Sequence, residues 1–186
     1  MSKREEIVAA TKALLWEKGY EATSPRDIQV KSNAGQGSFY HHFPSKLALA
    51  AVAIQEVVDE RIADFEEAMK SSGPFKVRLS VFISHNVEPL RGCRVGRLVW
   101  DAAIQEDELR QPLEMYFQYL ERRLIEVLEA EVENGRSRLI VPASEIALMI
   151  LMVVQGSYTL SRAANRSRAE EARHALSTFL DIAIVE

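Results

Sequence analysis

Cysteine is nearly absent from this 186-residue chain: Cys93 stands alone, so no disulfide can form within it, and a reducing compartment is the natural home. Glycine (8) and proline (6) are also scarce. With Ala, Leu and Glu plentiful, that scarcity favours helices, and no strand, internal repeat or low-complexity tract is expected. Metal-ligand clusters are missing. His41 and His42 are adjacent, so on a helix they diverge by about 100 degrees, and no cysteine lies near them. Long apolar runs are missing too. The longest, Ile146 to Val154, falls short of the roughly 18–20 residues of a membrane span, and Met1-Ser2-Lys3-Arg4 leads into an amphipathic pattern, not a signal peptide. These absences describe a soluble, cytoplasmic protein with no membrane partner, no metal and no cofactor.

Nor is there a catalytic signature. Gly35-Gln36-Gly37 is not a dinucleotide fingerprint, because Tyr40 takes the third glycine's place and no strand precedes it. Ser84-His85 and the scattered acids form no nucleophile–base–orienter set. The cluster Asp101, Glu106, Asp107 and Glu108 reads as a solvated helix end. The chain is therefore not expected to be an enzyme.

Charge is unevenly placed. The net charge is −4, but residues 1–50 carry +2 and the remainder −6. A mildly basic head on an acidic body suits a protein that touches phosphate with one end only.

What is present is a series of helices. Residues 4–18 are amphipathic (Ile7, Ala10, Leu14, Leu15), and Gly19 is placed to stop them. Ser24-Pro25-Arg26-Asp27 carries an N-cap, a first-turn proline and a capping-box acid, starting a short helix to about Ser32. Asn33 tolerates the left-handed turn that follows. A very short helix runs from about Gly35 to His42, Pro44 blocks it, and Ser45 caps a long fourth helix. That helix carries the stripe Leu47, Ala51, Ile54, Val58, Ile62, Phe65 and Met69. Further helices are expected near 75–87, 93–105, 107–134, 142–163 and 167–184, the third of them striped by Leu109, Leu113, Tyr116, Leu120, Leu124 and Val127.

A capped helix, a turn at Asn33 and a two-turn helix make a helix-turn-helix, whose second helix enters the DNA major groove. That second helix is a poor core helix. Gln36, Ser38 and His41 face outward with hydrogen-bonding groups suited to base edges, and Gly37 lets the backbone come close. Phe39 and Phe43 are placed to pack inward. Tyr40, His42 and Lys46 are within reach of phosphate oxygens, and Ser24 and Arg26 are further candidate DNA-binding residues.

The stretch from Ile7 to Leu49 also resembles the tetracycline-repressor-like (TetR) family of bacterial regulators. The matching residues are Gly19-Tyr20, Ala22-Thr23-Ser24, Arg26-Asp27-Ile28 and the run Gly37-Ser38-Phe39-Tyr40-His41-His42-Phe43-Pro44-Ser45-Lys46. Gln29, Ser32, Asn33 and Gly35 depart from the family's usual residues. The resemblance implies an all-α chain of about nine helices. A three-helix DNA-binding domain over residues 1–48 would be joined by a long helix to a ligand-binding and dimerisation domain over 49–186. It further implies a homodimer through the last two helices, a palindromic double-stranded operator, and release by an unidentified small-molecule effector. The helix from Pro142 is apolar on more than one face, which suits either a dimer interface or a buried central helix. For the effector cavity, which the resemblance puts among the middle helices, the candidates are Phe82, His85, Cys93, Trp100, Met115, Tyr116, Tyr119, Met149 and Met152. Cys93 is also a candidate redox sensor. The alternatives are a helical small-molecule carrier or enzyme, and a protein–protein adaptor, neither with specific DNA affinity.

Overall fold

Local capping decides where the helices begin. The computed structural model describes residues 1–85 and 88–185. Helix α1 (Lys3–Lys18) starts on a capping box between Ser2 and Glu5 and stops at Gly19, whose φ of 86° suits glycine alone. Helix α2 (Pro25–Lys31) starts on a second box, with Ser24 accepting from the Asp27 N–H and Asp27 accepting from the Ser24 N–H. Asn33, at φ 49°, turns the chain into α3 (Gln36–His42). Helix α4 (Lys46–Lys70) is capped by Ser45, whose hydroxyl accepts the Ala48 N–H at 3.0 Å. Helices α5 (Phe75–Ser84), α6 (Asp107–Glu133), α7 (Ala143–Ala164) and α8 (Ala169–Ala183) follow.

Three expectations change. The helix expected over 75–87 ends at Ser84, and its last two residues lie outside the described residues. The helix expected over 93–105 is instead two 3-10 turns, Gly96–Trp100 and Ala102–Gln105. Asp101, extended at ψ 147°, separates them and interrupts the helical ladder. A strand pair also forms: β1 (Arg138–Leu139) lies antiparallel to β2 (Ile184–Val185). Two residues a side carry no periodicity, so no pattern in the sequence marks them. Among the described residues this leaves eight α-helices where about nine were expected.

The chain divides into two compact units, residues 1–60 with 94–116 and residues 61–93 with 117–186. The expected head, 1–48, lies wholly inside the first unit. In that unit Ile7, Val8, Leu14, Leu15, Ile28, Phe39, Phe43 and Leu49 are buried, as are Leu109, Leu113 and Tyr116 of the α6 stripe. The expected α4 stripe is broader than its seven positions. Ala50, Ala53 and Val57 are buried beside Ile54 and Val58, whereas Leu47 and Ala51 are only half-buried.

The second unit is built on Phe65, Phe75, Leu79, Phe82, Leu120, Leu124, Leu128, Ile146, Ile150, Leu176 and Leu180. It also holds a buried ion pair. Arg78 donates to Glu131 and to the Met69 carbonyl, each at 2.7 Å, the latter satisfying an orphan carbonyl at the end of α4. Arg136 donates twice more to Glu131, at 3.1 and 2.9 Å.

Both the head and the second unit yield a stability test. Arg78→Ala leaves the Glu131 carboxylate, only 4% exposed, to Arg136 alone and orphans the Met69 carbonyl; it is expected to cost about 1–3 kcal/mol in chemical denaturation. In the head, Lys18 sits 2.9 Å from Asp27. The Lys18 ammonium, with the Ser24 hydroxyl and N–H, holds the Asp27 carboxyl well below its ordinary 3.8. A depressed folded value contributes stability that is complete above 3.8 and fades as the pH falls through the folded value. Asp27→Asn should therefore melt below wild type at neutral pH, with the gap closing in melts recorded at progressively lower pH beneath 3.8.

Candidate nucleic-acid interface

The geometry of α3 follows from where its two aromatic anchors go. Phe39 is fully buried and Phe43 nearly so, both on the side where α3 packs against α1. On a helix, burying these positions turns Gly37 and His41 to the opposite side, with Ser38 and Tyr40 flanking them, while Gln36 is left open as the first residue of α3. Gln36, Tyr40 and His41 are exposed, while Ser38 and His42 are half-buried. Tyr40 stacks edge-on against Phe39 at 5.0 Å, which holds the ring while leaving the residue 48% exposed. Among the described residues, the side chains of Gln36, Ser38, Tyr40, His41 and His42 make no hydrogen bond or ion pair within the chain. Five polar side chains on two helical turns are thus left to water or to a partner.

The flanking candidates differ. Arg26 is exposed and makes no ion pair among the described residues. The Ser24 hydroxyl is committed to the α2 cap, donating to Asp27 at 2.7 Å. Lys46 is not a free arm: its ammonium donates to the Tyr20 carbonyl at 3.1 Å and stands 3.8 Å from the centre of the Tyr20 ring. One N–H of three is used in that bond, so donors remain. Arg4, which sequence reasoning passed over, lies 5.2 Å over the Phe43 ring; nothing in its helical register signals that placement.

Asp101 was expected at a solvated helix end. It is half-buried instead, and accepts the Tyr20 N–H at 2.7 Å and the Glu21 N–H at 3.3 Å. A pairing 81 residues away in sequence leaves no local signal.

The nine effector candidates are divided between the two units. Trp100, Met115 and Tyr116 fall in the first unit and the other six in the second. Trp100 is 84% exposed, whereas Tyr116 is buried. Phe82 is buried edge-on against Phe65, with the Arg61 guanidinium over its ring at 4.8 Å. His85 is exposed, 3.7 Å from Asp64. The Tyr119 hydroxyl donates to Glu66 at 2.9 Å, beside the forked Arg123–Glu66 pair. Burial raises the Tyr119 pKa, and the Glu66 carboxylate adds to the rise. Met149 and Met152 are exposed on α7. Cys93 is half-buried. Near it the Tyr158 hydroxyl, which sequence reasoning also passed over, is pushed up to about 12, chiefly by burial, with the neighbouring Cys93 adding to the rise. Tyr158 helps line an apolar cavity of about 20 Å³ with Ile83, Val153, Val154, Ser157, Ala169, Ala172, Arg173 and Leu176. That is room for about one water. None of the nine candidates lines it.

Residues 7–53 match the family model for bacterial regulatory proteins of the tetR family. An uncharacterized HTH-type transcriptional regulator in the lacX 3′ region of Lactococcus lactis subsp. lactis is 30% identical over 138 residues, 68% of each chain. The HTH-type transcriptional repressor DhaR of a Mycobacterium species is 24% identical over 182 residues, 96% of this chain and 89% of that one. Among solved structures, a TetR-family transcriptional regulator from Cytophaga hutchinsonii superposes with a TM-score of 0.86 at 21% identity, covering 100% of this chain and 98% of that one. The likeness is one of fold, and it takes in the head and the helices that follow. With the helix-turn-helix, the outward polar face of α3 and these relatives in agreement, the chain belongs to the tetR family of bacterial regulatory proteins and is a DNA-binding transcriptional regulator.

Proposed function

We propose that the chain is a homodimeric repressor that reads a palindromic operator through α3 and releases it when a small molecule binds. Gln36, Gly37, Ser38 and His41 would face base edges. Arg26, Tyr40, His42 and Lys46 would hold phosphates, and Ser24 would order the start of α2. Repression is the action named for the DhaR relative.

The observation that carries the reading is Gly37. It sits inside α3, its φ is not positive, and a Cβ built on it would meet nothing within 4 Å. The fold therefore has no use for glycine there, and an alanine would favour the helix by about 0.8–1.0 kcal/mol. A missing side chain in open space suits close approach by something outside the chain. Flanked by unpaired Gln36, Ser38 and His41, that something is best matched by the floor and walls of a major groove.

Dimerisation is supported by α7 and α8. Leu148, Met149, Met152 and Leu160 are exposed along one side of α7, and Ile182 is exposed on α8. The apolar stripe follows helical spacing, and a two-fold interface would set it against its own copy. By length and composition α7 (22 residues, mean hydropathy 1.4 over an 18-residue window) would also suit a membrane. Its other side, however, packs Ile146, Ala147, Ile150, Ser157 and Ser161 inside the second unit. A dimer seam accounts for both faces. Met149 and Met152 then belong to that seam more naturally than to an effector cavity.

The effector would act by population shift. A 100-fold loss of operator affinity needs about 2.7 kcal/mol of coupling, and operator must weaken effector binding equally. A cavity of about 20 Å³ is far below the several hundred Å³ of a ligand site, whereas an open cleft of about 650 Å³ beside Met69, Arg78, Glu131 and Arg136 has the volume but none of the nine candidates in its lining.

Selection of bound duplexes from a random pool is expected to return a palindrome with half-sites one helical turn apart; recovery of no preferred sequence would sink the reading. Gly37→Ala should hold or raise the melting temperature yet weaken binding to the selected duplex by tenfold or more, on the order of one lost contact. Leu148→Glu with Met152→Glu is expected to convert a dimer to a monomer in sedimentation and to abolish tight operator binding. A double variant that stays dimeric would rule out this seam.

A further inference from the structure

The turn between α1 and α2 is gripped from two sides. On one side the Asp101 carboxylate accepts two successive backbone N–H groups, Tyr20 at 2.7 Å and Glu21 at 3.3 Å. On the other, the Tyr20 carbonyl accepts from Lys46 at 3.1 Å, and the Tyr20 ring lies 3.8 Å from the same ammonium. Gly19 makes the first grip possible: a Cβ there would stand 2.3 Å from the Asp101 Oδ2. Two neighbouring contacts bind the same segment to the end of α1. Arg97 donates to the Glu17 carbonyl at 3.2 Å, and Arg94 pairs with Glu60 at 3.0 Å while lying over the Trp16 ring.

A carboxylate accepting an amide N–H polarises the attached peptide and strengthens what neighbouring groups accept or donate. Tyr20 is thus held at its N–H, and its carbonyl and ring in turn hold Lys46. We infer that Asp101 is a positioning residue for DNA binding: it fixes the α1–α2 turn so that Tyr20 presents Lys46 to the phosphate backbone. The inference rests on the reading of α3 and Lys46 as the DNA-contacting surface. It assigns a role in DNA binding to a side chain far from the helix-turn-helix in sequence.

The test measures binding to a labelled mixed-sequence duplex across a salt series, for wild type, Lys46→Ala, Asp101→Ala, Asp101→Asn and the Asp101→Ala/Lys46→Ala double variant. Lys46→Ala is expected to flatten the slope of log affinity against log salt by about 0.9, the share of one phosphate. Asp101→Ala should flatten it by a similar amount and weaken binding about tenfold, and the double variant should be little worse than either single one, because the two residues act as a unit. Asp101→Asn, nearly isosteric and still offering one acceptor to Tyr20, should lose only about threefold. The Tyr20 and Glu21 amide proton resonances should shift between wild type and Asp101→Ala, and by less in Asp101→Asn.

Asp101→Ala binding with wild-type affinity and slope would overturn the inference. So would additive losses in the double variant, an unchanged Lys46→Ala, or amide resonances indifferent to Asp101. A wild-type protein that binds no DNA would sink the repressor reading itself, which is a different outcome from wild type binding while Asp101→Ala is silent.

Discussion

A helix of seven residues has no stability of its own in water, because nucleation costs more than two turns of hydrogen bonds return. Helix α3 therefore exists only through Phe39 and Phe43, which are sealed inside the first unit. Their burial sets the rotation of the helix, and that rotation decides everything on its far side. Gly37 and His41 point outward as the geometric complement of two phenylalanines pointing in, Ser38 and Tyr40 flank them, and Gln36 is exposed as the first residue of the helix. The same constraint explains why the helix can carry Gly37 and five unpaired polar side chains: its stability comes from anchoring, not from its own sequence.

The surroundings of α3 are held by short polar devices. The Ser24–Asp27 box fixes where α2 begins, Asn33 turns the chain at positive φ, and Ser45 starts α4. Each satisfies backbone groups that would otherwise be orphaned at a helix end. The turn at Gly19–Tyr20 differs in kind, because its partners arrive from residues 46 and 101. It is the point at which the reading head depends on the 94–101 segment of the same unit.

The second unit has another balance. Its buried Arg78–Glu131 pair and the Arg123–Glu66–Tyr119 cluster are polar networks that satisfy most of their own donors, the buried Arg78 Nε being left over. Its apolar cavity of about 20 Å³ has room for about one water, and the larger clefts of this unit open to solvent. The exposed apolar side of α7 is larger in consequence than any of these features, since it asks to be covered.

Helix positions, caps, the Asn33 turn and the polar face of α3 were legible from the amino-acid order. They are set by interactions within three or four residues and by the repeat of one helix. The family run from Gly37 to Lys46 was legible for the same reason, being contiguous. What lies in distant pairing was not. Nothing around Asp101 announces Tyr20, nothing around Arg138 announces Val185, and Trp100 and Tyr116, alike as apolar aromatics, end up exposed and buried respectively. Chain order alone determined which segments coil and which face each coil prefers to hide, because those are short-range energies. Only the tertiary structure decided which charged group meets which backbone amide and which aromatic is covered, because those depend on surfaces brought together from far apart along the chain.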